Sequence, residues 1–143
     1  MRFWEEDSGA VRLSKDARLY PHMPKSELLE ACKALAGNAA GADGRADDAA
    51  VALPSFSVPG GRLACVCLLR GEKLHAAEFW VTAVGRRKRF TADQQRAFLF
   101  ECLRANDPSP DSRRSVLLRC PFGAALVATD PRSGDATLRI TYR

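Results

Sequence analysis

The last quarter of the chain, residues 115–143, constrains the fold more than any other stretch, because its pattern is that of a terminal strand pair. Two apolar and partly β-branched runs, at residues 116–118 and 124–128, lead into a turn-like Asp-Pro-Arg-Ser-Gly-Asp segment. From Leu138 onward, apolar and polar residues alternate with the period of a half-buried strand. We predict a hairpin of two strands, with residues 121–123 as a bulge or bend in the first strand.

Two other segments carry helix signals. Pro24 suits the first turn of a helix, and residues 25–36 place apolar side chains on one stripe at helical spacing. Thr91 has the character of a helix N-cap, and Gln94 stands three residues later, where it completes a capping box. We predict that this second helix runs to about Ala105. We expect its inward face to contain Ala97, Phe98, Leu99, Cys102 and Leu103.

Three strand candidates lie between the two predicted helices. They cover residues 53–58, 62–70 and 73–84, and glycine-containing tight turns separate them. The middle strand is apolar on both faces, which is the pattern of a central strand. Together the three predict an antiparallel meander. Residues 38–50 are rich in alanine, glycine and aspartate, and we expect a surface loop there.

The predicted order is β(β)-α-β-β-β-α-β-β, in which the N-terminal residues form one or two short strands, around residues 2–4 and 10–13. Two helices can cover one face of an antiparallel sheet, so we predict a two-layer α+β domain with five to seven strands. Burial of apolar side chains drives such a fold, and each large one contributes roughly 1.5–3 kcal/mol. We expect Trp80, Phe98 and Phe122 to contribute more than any ion pair.

Length and composition bound the class of protein. A chain of 143 residues suits a single domain over residues 1–143, and its apolar share of 46% is that of an ordinary globular protein. No apolar run approaches the ~20 residues of a membrane helix. Acidic residues stand where the apolar region of a signal peptide would be, so we expect a cytoplasmic protein.

No constellation of residues predicts catalysis. Cys65 and Cys67 share one face of a strand, but without a second Cys/His pair they are a weak metal signal, and we interpret them as buried thiols. A nucleophilic pair of either cysteine with His75 would need cross-strand proximity and has no supporting motif. There is no phosphate-binding glycine loop. We therefore predict no enzyme activity, no metal and no cofactor.

The net charge of +5 points to binding instead. The dense basic run consists of Arg86, Arg87, Lys88 and Arg89, and Arg113 and Arg114 follow the second helix. Because the two groups flank one helix, we predict that they form a partner-binding surface. The run lacks the interleaved aromatic residues of a platform for single-stranded nucleic acid, so a solvated loop is the simpler interpretation of the run by itself. The positive charge could also serve an acidic protein partner.

Three local patterns resemble one family when taken together. Residues 19–27 (LYPHMPKSE) lead into the first helix, and residues 120–123 (CPFG) interrupt the terminal hairpin. Residues 129–134 (TDPRSG) are followed by residues 138–142 (LRITY) at the end of the chain. The set resembles small bacterial immunity proteins encoded beside large polymorphic toxins, in contact-dependent growth inhibition and Rhs-type systems.

The resemblance implies a cytoplasmic inhibitor without enzyme activity. Such an inhibitor binds the toxic C-terminal domain of a cognate effector, for example a nuclease, and blocks the active site of that toxin. The partner would then be a protein, with no membrane involved. Two alternatives remain open. One is a secretion chaperone, although such chaperones are typically acidic dimers and this chain is basic. The other is a basic nucleic-acid-binding module, whose affinity would fall steeply with salt.

Overall fold

The computed structural model describes residues 3–36, 49–87, 89–108 and 114–143, which form eight strands and two helices in these ranges. The elements are β1 Val11–Arg12, β2 Arg18–Leu19, α1 Lys25–Ala36, β3 Ala50–Val58, β4 Gly61–Arg70, β5 Lys73–Val84, α2 Ala92–Leu103, β6 Val116–Cys120, β7 Gly123–Thr129 and β8 Ala136–Tyr142.

The main sheet has six antiparallel strands in the order β3-β4-β5-β8-β7-β6. The predicted meander, β3-β4-β5, forms one half of this sheet. The C-terminal strands form the second half, and the pairing of β8 with β5 joins the two halves. The short strands β1 and β2 pair separately, as Val11 with Leu19 and Arg12 with Arg18. The prediction of an α+β domain with two helices and an antiparallel sheet is confirmed.

The C-terminal region has one strand more than the two predicted. Residues 116–128, which we predicted as one interrupted strand, form a hairpin. The chain turns at Pro121 and Phe122 after β6, and β7 returns antiparallel to β6. Gly123 begins β7 at φ 154°, and a Cβ there would stand 2.0 Å from the backbone oxygen of Thr141. This close approach of two backbones requires glycine and makes the tight turn possible.

One face of the sheet carries the core. Inward side chains of neighbouring strands line up in rows, such as Cys65, Phe79, Leu138 and Val127, which are all buried. These rows form one hydrophobic cluster with residues of both helices and of the N-terminal segment. Trp80 points to the other face and is 36% exposed, because it follows the inward-facing Phe79 on β5. Trp80 therefore lies outside the core, and its burial contributes less than full burial of a large side chain would.

The helices follow their local signals. Helix α1 has the predicted bounds, and Leu28 and Cys32 are buried. In α2, Thr91 caps the helix by accepting a hydrogen bond from the Gln94 backbone N–H, and the Gln94 side chain accepts one in return from Thr91 N–H. Ala97 is exposed, contrary to the expected inward face, because Gln95 and Arg96 are buried in its place.

In the described part of the chain, no helix is both long and apolar enough to cross a membrane. The loop predicted over residues 38–50 falls mostly on residues 38–48, and the first N-terminal strand candidate falls partly on residue 2. These positions lie outside the described residues.

Candidate binding surfaces

The sheet register brings predicted partner-binding residues to one end of the sheet. Because neighbouring strands are antiparallel, the end of β5 lies at the same end as the starts of β8 and β6. Arg86, Arg87 and Arg89 follow β5, and Arg114 precedes β6. All four are exposed, and we call them the basic end. Three strand spacings separate β5 from β6, so the basic end spans about 15 Å.

Two further predicted site residues, Lys88 and Arg113, lie outside the described residues. The placement of the other four agrees with the expectation that both groups flank α2 on one side of the domain. That a partner binds there stays a prediction.

Buried polar side chains of α2 anchor the segments that lead into β6 and β8, including Arg114 of the basic end. Arg96 is 2% exposed, and its guanidinium donates to both carboxylate oxygens of Asp107, at 2.6 and 3.0 Å, and to the backbone oxygen of Arg114. Gln95 accepts a hydrogen bond from the Ala136 backbone N–H at 2.8 Å and donates to Asp135 at 3.1 Å. The segments that lead into β6 and β8 are thereby anchored to the helix. Sequence reasoning missed both residues, because polar side chains on a helix are usually at the surface.

A second surface is the side of the sheet opposite the core, which the described part of the chain leaves accessible to solvent. Its central row runs across all six strands as Ala52, Val66, Glu78, Arg139, Leu126 and Leu117. We call this side the open face. Both large hydrophobic residues that are exposed among the described residues, Trp80 at 36% and Leu117 at 51%, lie on it.

β4 is a central strand, as predicted, because it lies between β3 and β5, but only one of its two apolar faces is covered. Val66 and Leu68 face outward there and are only half-buried. Small residues on neighbouring strands, including Ala76 and Ala124, leave depressions between the larger side chains of this face. The sequence contained a signal for this uncovered face. Apolar residues of β4 point alternately to the two sides of the sheet, and in a two-layer fold the helices cover only one of these sides.

An ion pair lies at the centre of the open face. Arg139 on β8 donates to the carboxylate of Glu78 on β5 at 3.2 Å, and both side chains are 41% exposed. The two residues are cross-strand partners in the ladder. An exposed pair of this kind contributes little to stability, so its position matters more for what can dock on the face than for folding.

A cleft of about 410 Å³ lies between the N-terminal hairpin, the end of α1 and β3. Its polar lining consists of Arg12, Ser14, Lys15, Ser55, Ser57 and Arg62. The Arg62 guanidinium is already engaged, since it donates to Ser57 Oγ at 2.8 Å and to the Ser55 backbone oxygen at 3.0 Å. No described lining residue is acidic, so the cleft does not suit a metal cation.

The cysteine residues have the environment of structural thiols. Cys65 and Cys67 are buried with their sulfur atoms 4.0 Å apart, and burial raises the pKa of the Cys65 thiol well above its usual value. Their cross-strand partners on β5 are Phe79 and Ala77, so His75 is opposite neither of them. A raised pKa disfavours the reactive thiolate. Among the described residues, no group of three or more His, Cys, Asp and Glu side chains is placed to hold a metal ion.

Parts of the three patterns that carry the family resemblance meet at the end of the sheet opposite the basic end, whereas residues 129–134 form the β7–β8 turn and lie at the same end of the sheet as the basic end. His22 Nε2 hydrogen-bonds the backbone oxygen of Arg143, whose N–H donates to the Phe122 oxygen at 2.9 Å. The Phe122 ring packs against Tyr142 at 5.7 Å and edge-on against Trp4 at 5.9 Å. The Tyr142 hydroxyl donates to the Gly9 oxygen at 2.8 Å. We call this cluster the motif corner.

No family model matches the chain, and no curated protein and no solved structure is significantly similar to it. The resemblance to immunity proteins therefore stays a hypothesis that rests on the residues of the motif corner and on the surface that the fold presents.

Proposed function

We propose that this protein is a cytoplasmic immunity protein, which binds the toxic C-terminal domain of a cognate contact-dependent growth inhibition effector and blocks it without catalysis of its own. One observation carries the proposal. The three patterns that resemble the family each place one residue in the motif corner, namely His22, Phe122 and Tyr142, while exposed arginines project from the opposite end of the same sheet.

The motif corner supports the proposal because it brings residues of all three patterns close together. Phe122 of the second pattern packs on Tyr142 of the third, and His22 of the first hydrogen-bonds the backbone oxygen of Arg143, which follows Tyr142. A family would retain such contacts to preserve its fold. Residues outside the corner would remain free to vary with the toxin.

The basic end supports it as the contact surface. Its arginines stand on segments anchored by the capped helix α2 and by Arg96, so little ordering entropy is lost when a partner binds. Arginine is well suited to interfaces, since its planar guanidinium can bind a carboxylate through two hydrogen bonds. The expected partner surface is acidic, and charge attraction would accelerate association.

The test is a binding and rescue experiment with the toxic C-terminal domain encoded beside this protein. Tight one-to-one binding that suppresses toxicity on co-expression would support the proposal. Failure to bind, combined with affinity for a mixed-sequence RNA or DNA that falls steeply with salt, would overturn it in favour of a nucleic-acid-binding module. Binding only to an unfolded secretion substrate would overturn it in favour of a chaperone.

A charge-reversal pair tests the surface. The double variant R86E/R87E should slow association with the toxin domain about tenfold or more and should weaken its salt dependence. The matched control is R70E/K73E, which makes the same charge change at exposed positions beside the β4–β5 turn, at the opposite end of the sheet. Equal losses in both variants would show that only net charge matters and would refute the basic end as the contact.

A further inference from the structure

We propose that the open face is an interface between two copies of this chain, which pack sheet against sheet about a twofold axis that runs parallel to the strands between β5 and β8. This inference goes beyond the proposed function, because it concerns a different surface and a different partner.

The centre of the open face is self-complementary in charge. In a six-stranded sheet ordered β3-β4-β5-β8-β7-β6, the boundary between β5 and β8 is the midline. Glu78 and Arg139 flank that midline at the same level. The proposed axis exchanges β5 with β8, so Glu78 of each copy faces Arg139 of the other. Four charges of alternating sign then surround the axis.

The rest of the face is complementary in size under the same operation. The axis exchanges β4 with β7 and β3 with β6, which places the protruding Leu117 opposite Ala52 of the second copy. In the neighbouring rows, Trp80 faces Thr137 and Leu68 faces Ala124. Large side chains thus meet small ones at these three positions, and the central row also places Val66 opposite Leu126, an apolar contact between two larger side chains. Two sheets whose side chains interdigitate lie about 10 Å apart. Aligned sheets cross at about 30°, so the fit is closest near the axis, where the charged pairs lie.

The size of the face sets the expected affinity. Six strands about 4.8 Å apart and some 20 Å of strand length give roughly 500 Å² per copy. The total of about 1,000 Å² is at the lower limit of specific interfaces. Burying the ion pairs has a desolvation cost, so the pairs determine the register of the two sheets more than the affinity of the dimer. We therefore expect a dimer with a dissociation constant in the micromolar range.

Charge favours a second copy over an acidic partner on this face. Glu78 is paired with Arg139, and Arg119 has no opposite charge in this set, so these three side chains give the face a net charge of only +1. An acidic partner would find a stronger positive surface at the basic end. The self-complementary pattern instead matches what a symmetric interface requires, in which the same patch must fit itself.

The test uses the full chain and its oligomeric state. We expect sedimentation velocity between about 1 and 300 µM to show a reversible monomer–dimer equilibrium. The single variants E78R and R139E each place four like charges around the axis and should weaken self-association at least tenfold. An equimolar mixture of the two restores opposite charges across the axis and should form a heterodimer. E72R, at an exposed turn position away from the face, is the control and should dimerise like the parent protein.

Each other outcome overturns the proposal. A parent protein that remains monomeric to 300 µM has no such interface, and single variants that dimerise normally place the contact elsewhere. A mixture that fails to associate refutes the proposed axis. Circular dichroism confirms that both variants fold, which we expect because the pair is exposed.

Discussion

Replacing the buried guanidinium of Arg96 should destabilise the protein more than any ordinary surface substitution. The side chain is 2% exposed and contacts three groups: Asp107 through two hydrogen bonds, the backbone oxygen of Arg114, and the Phe100 ring at 5.5 Å. In the variant R96M, the methionine retains the apolar contact but none of the hydrogen bonds. The connection between α2 and the segment before β6 is lost with them.

The expected loss is about 2–3 kcal/mol in the free energy of unfolding. A hydrogen bond to a charged group contributes about 1.5–3 kcal/mol, and breaking a fully buried ion pair costs about 3–5 kcal/mol. The Asp107 side chain is 28% exposed, so its carboxylate can turn to water when Arg96 is removed, and the loss should fall below the range for a fully buried pair. For a chain of this size, the melting temperature should fall by about 7–12 °C.

Urea denaturation followed by tryptophan fluorescence provides the assay, because Trp4 is buried and reports on global unfolding. A double-mutant cycle of R96M with D107N should give a coupling energy of at least about 1 kcal/mol. The control R132M removes an exposed arginine and should change stability by less than about 0.5 kcal/mol. A loss below about 1 kcal/mol for R96M, or a coupling near zero, would refute the structural role of this network.

Three further variants test separate features. Gly123→Ala places a Cβ against the Thr141 backbone oxygen and should cost about 3 kcal/mol or more in urea denaturation; a cost under about 1 kcal/mol contradicts the close backbone approach. Thr91→Ala should cost about 1 kcal/mol while Thr91→Ser, which keeps the hydroxyl that accepts from Gln94 N–H, should cost much less. Burial lowers the pKa of His75, so the folded state binds the proton more weakly than the unfolded state does, and stability should decrease as pH falls below about 6.5. The variant His75→Gln should reduce that decrease. An unchanged pH profile of stability in the variant would refute the role of His75.

Elements with strong local signals could be predicted from the sequence nearly to the residue. Helix α1 and strand β5 have the predicted bounds, and the capping box at Thr91 forms as expected. In each case a turn or cap adjoins a regular apolar pattern, so local and tertiary preferences agree. The split between β6 and β7 was missed because its turn contains Pro121 and Phe122 rather than the usual hairpin residues, and because both flanking runs are apolar.

The surfaces were less accessible from the sequence, because they depend on which strands become neighbours. Alternation along β4 and β5 divides each strand into two sets of side chains, but only the register and the sheet order decide that Val66 and Trp80 share the face that remains open. Likewise, Glu78 and Arg139 are far apart in the chain, and only the pairing of β5 with β8 places them at the midline. Burial of Arg96 depends on Asp107 and the segment before β6, which no helical pattern reveals.

The two proposed surfaces are linked by the symmetry of the dimer. A twofold axis parallel to the strands leaves the strand direction unchanged, so the basic ends of both copies would point the same way, side by side. Two adjacent arginine clusters would attract an acidic toxin domain more strongly than one, and a dimeric toxin could bind both at once. Near the dimer's dissociation constant, E78R should therefore slow toxin association severalfold, whereas R86E/R87E should leave self-association unchanged. Stopped-flow association and sedimentation would measure the two effects. An E78R association rate equal to that of the parent protein would show that dimerisation through the open face does not affect toxin binding at the basic end.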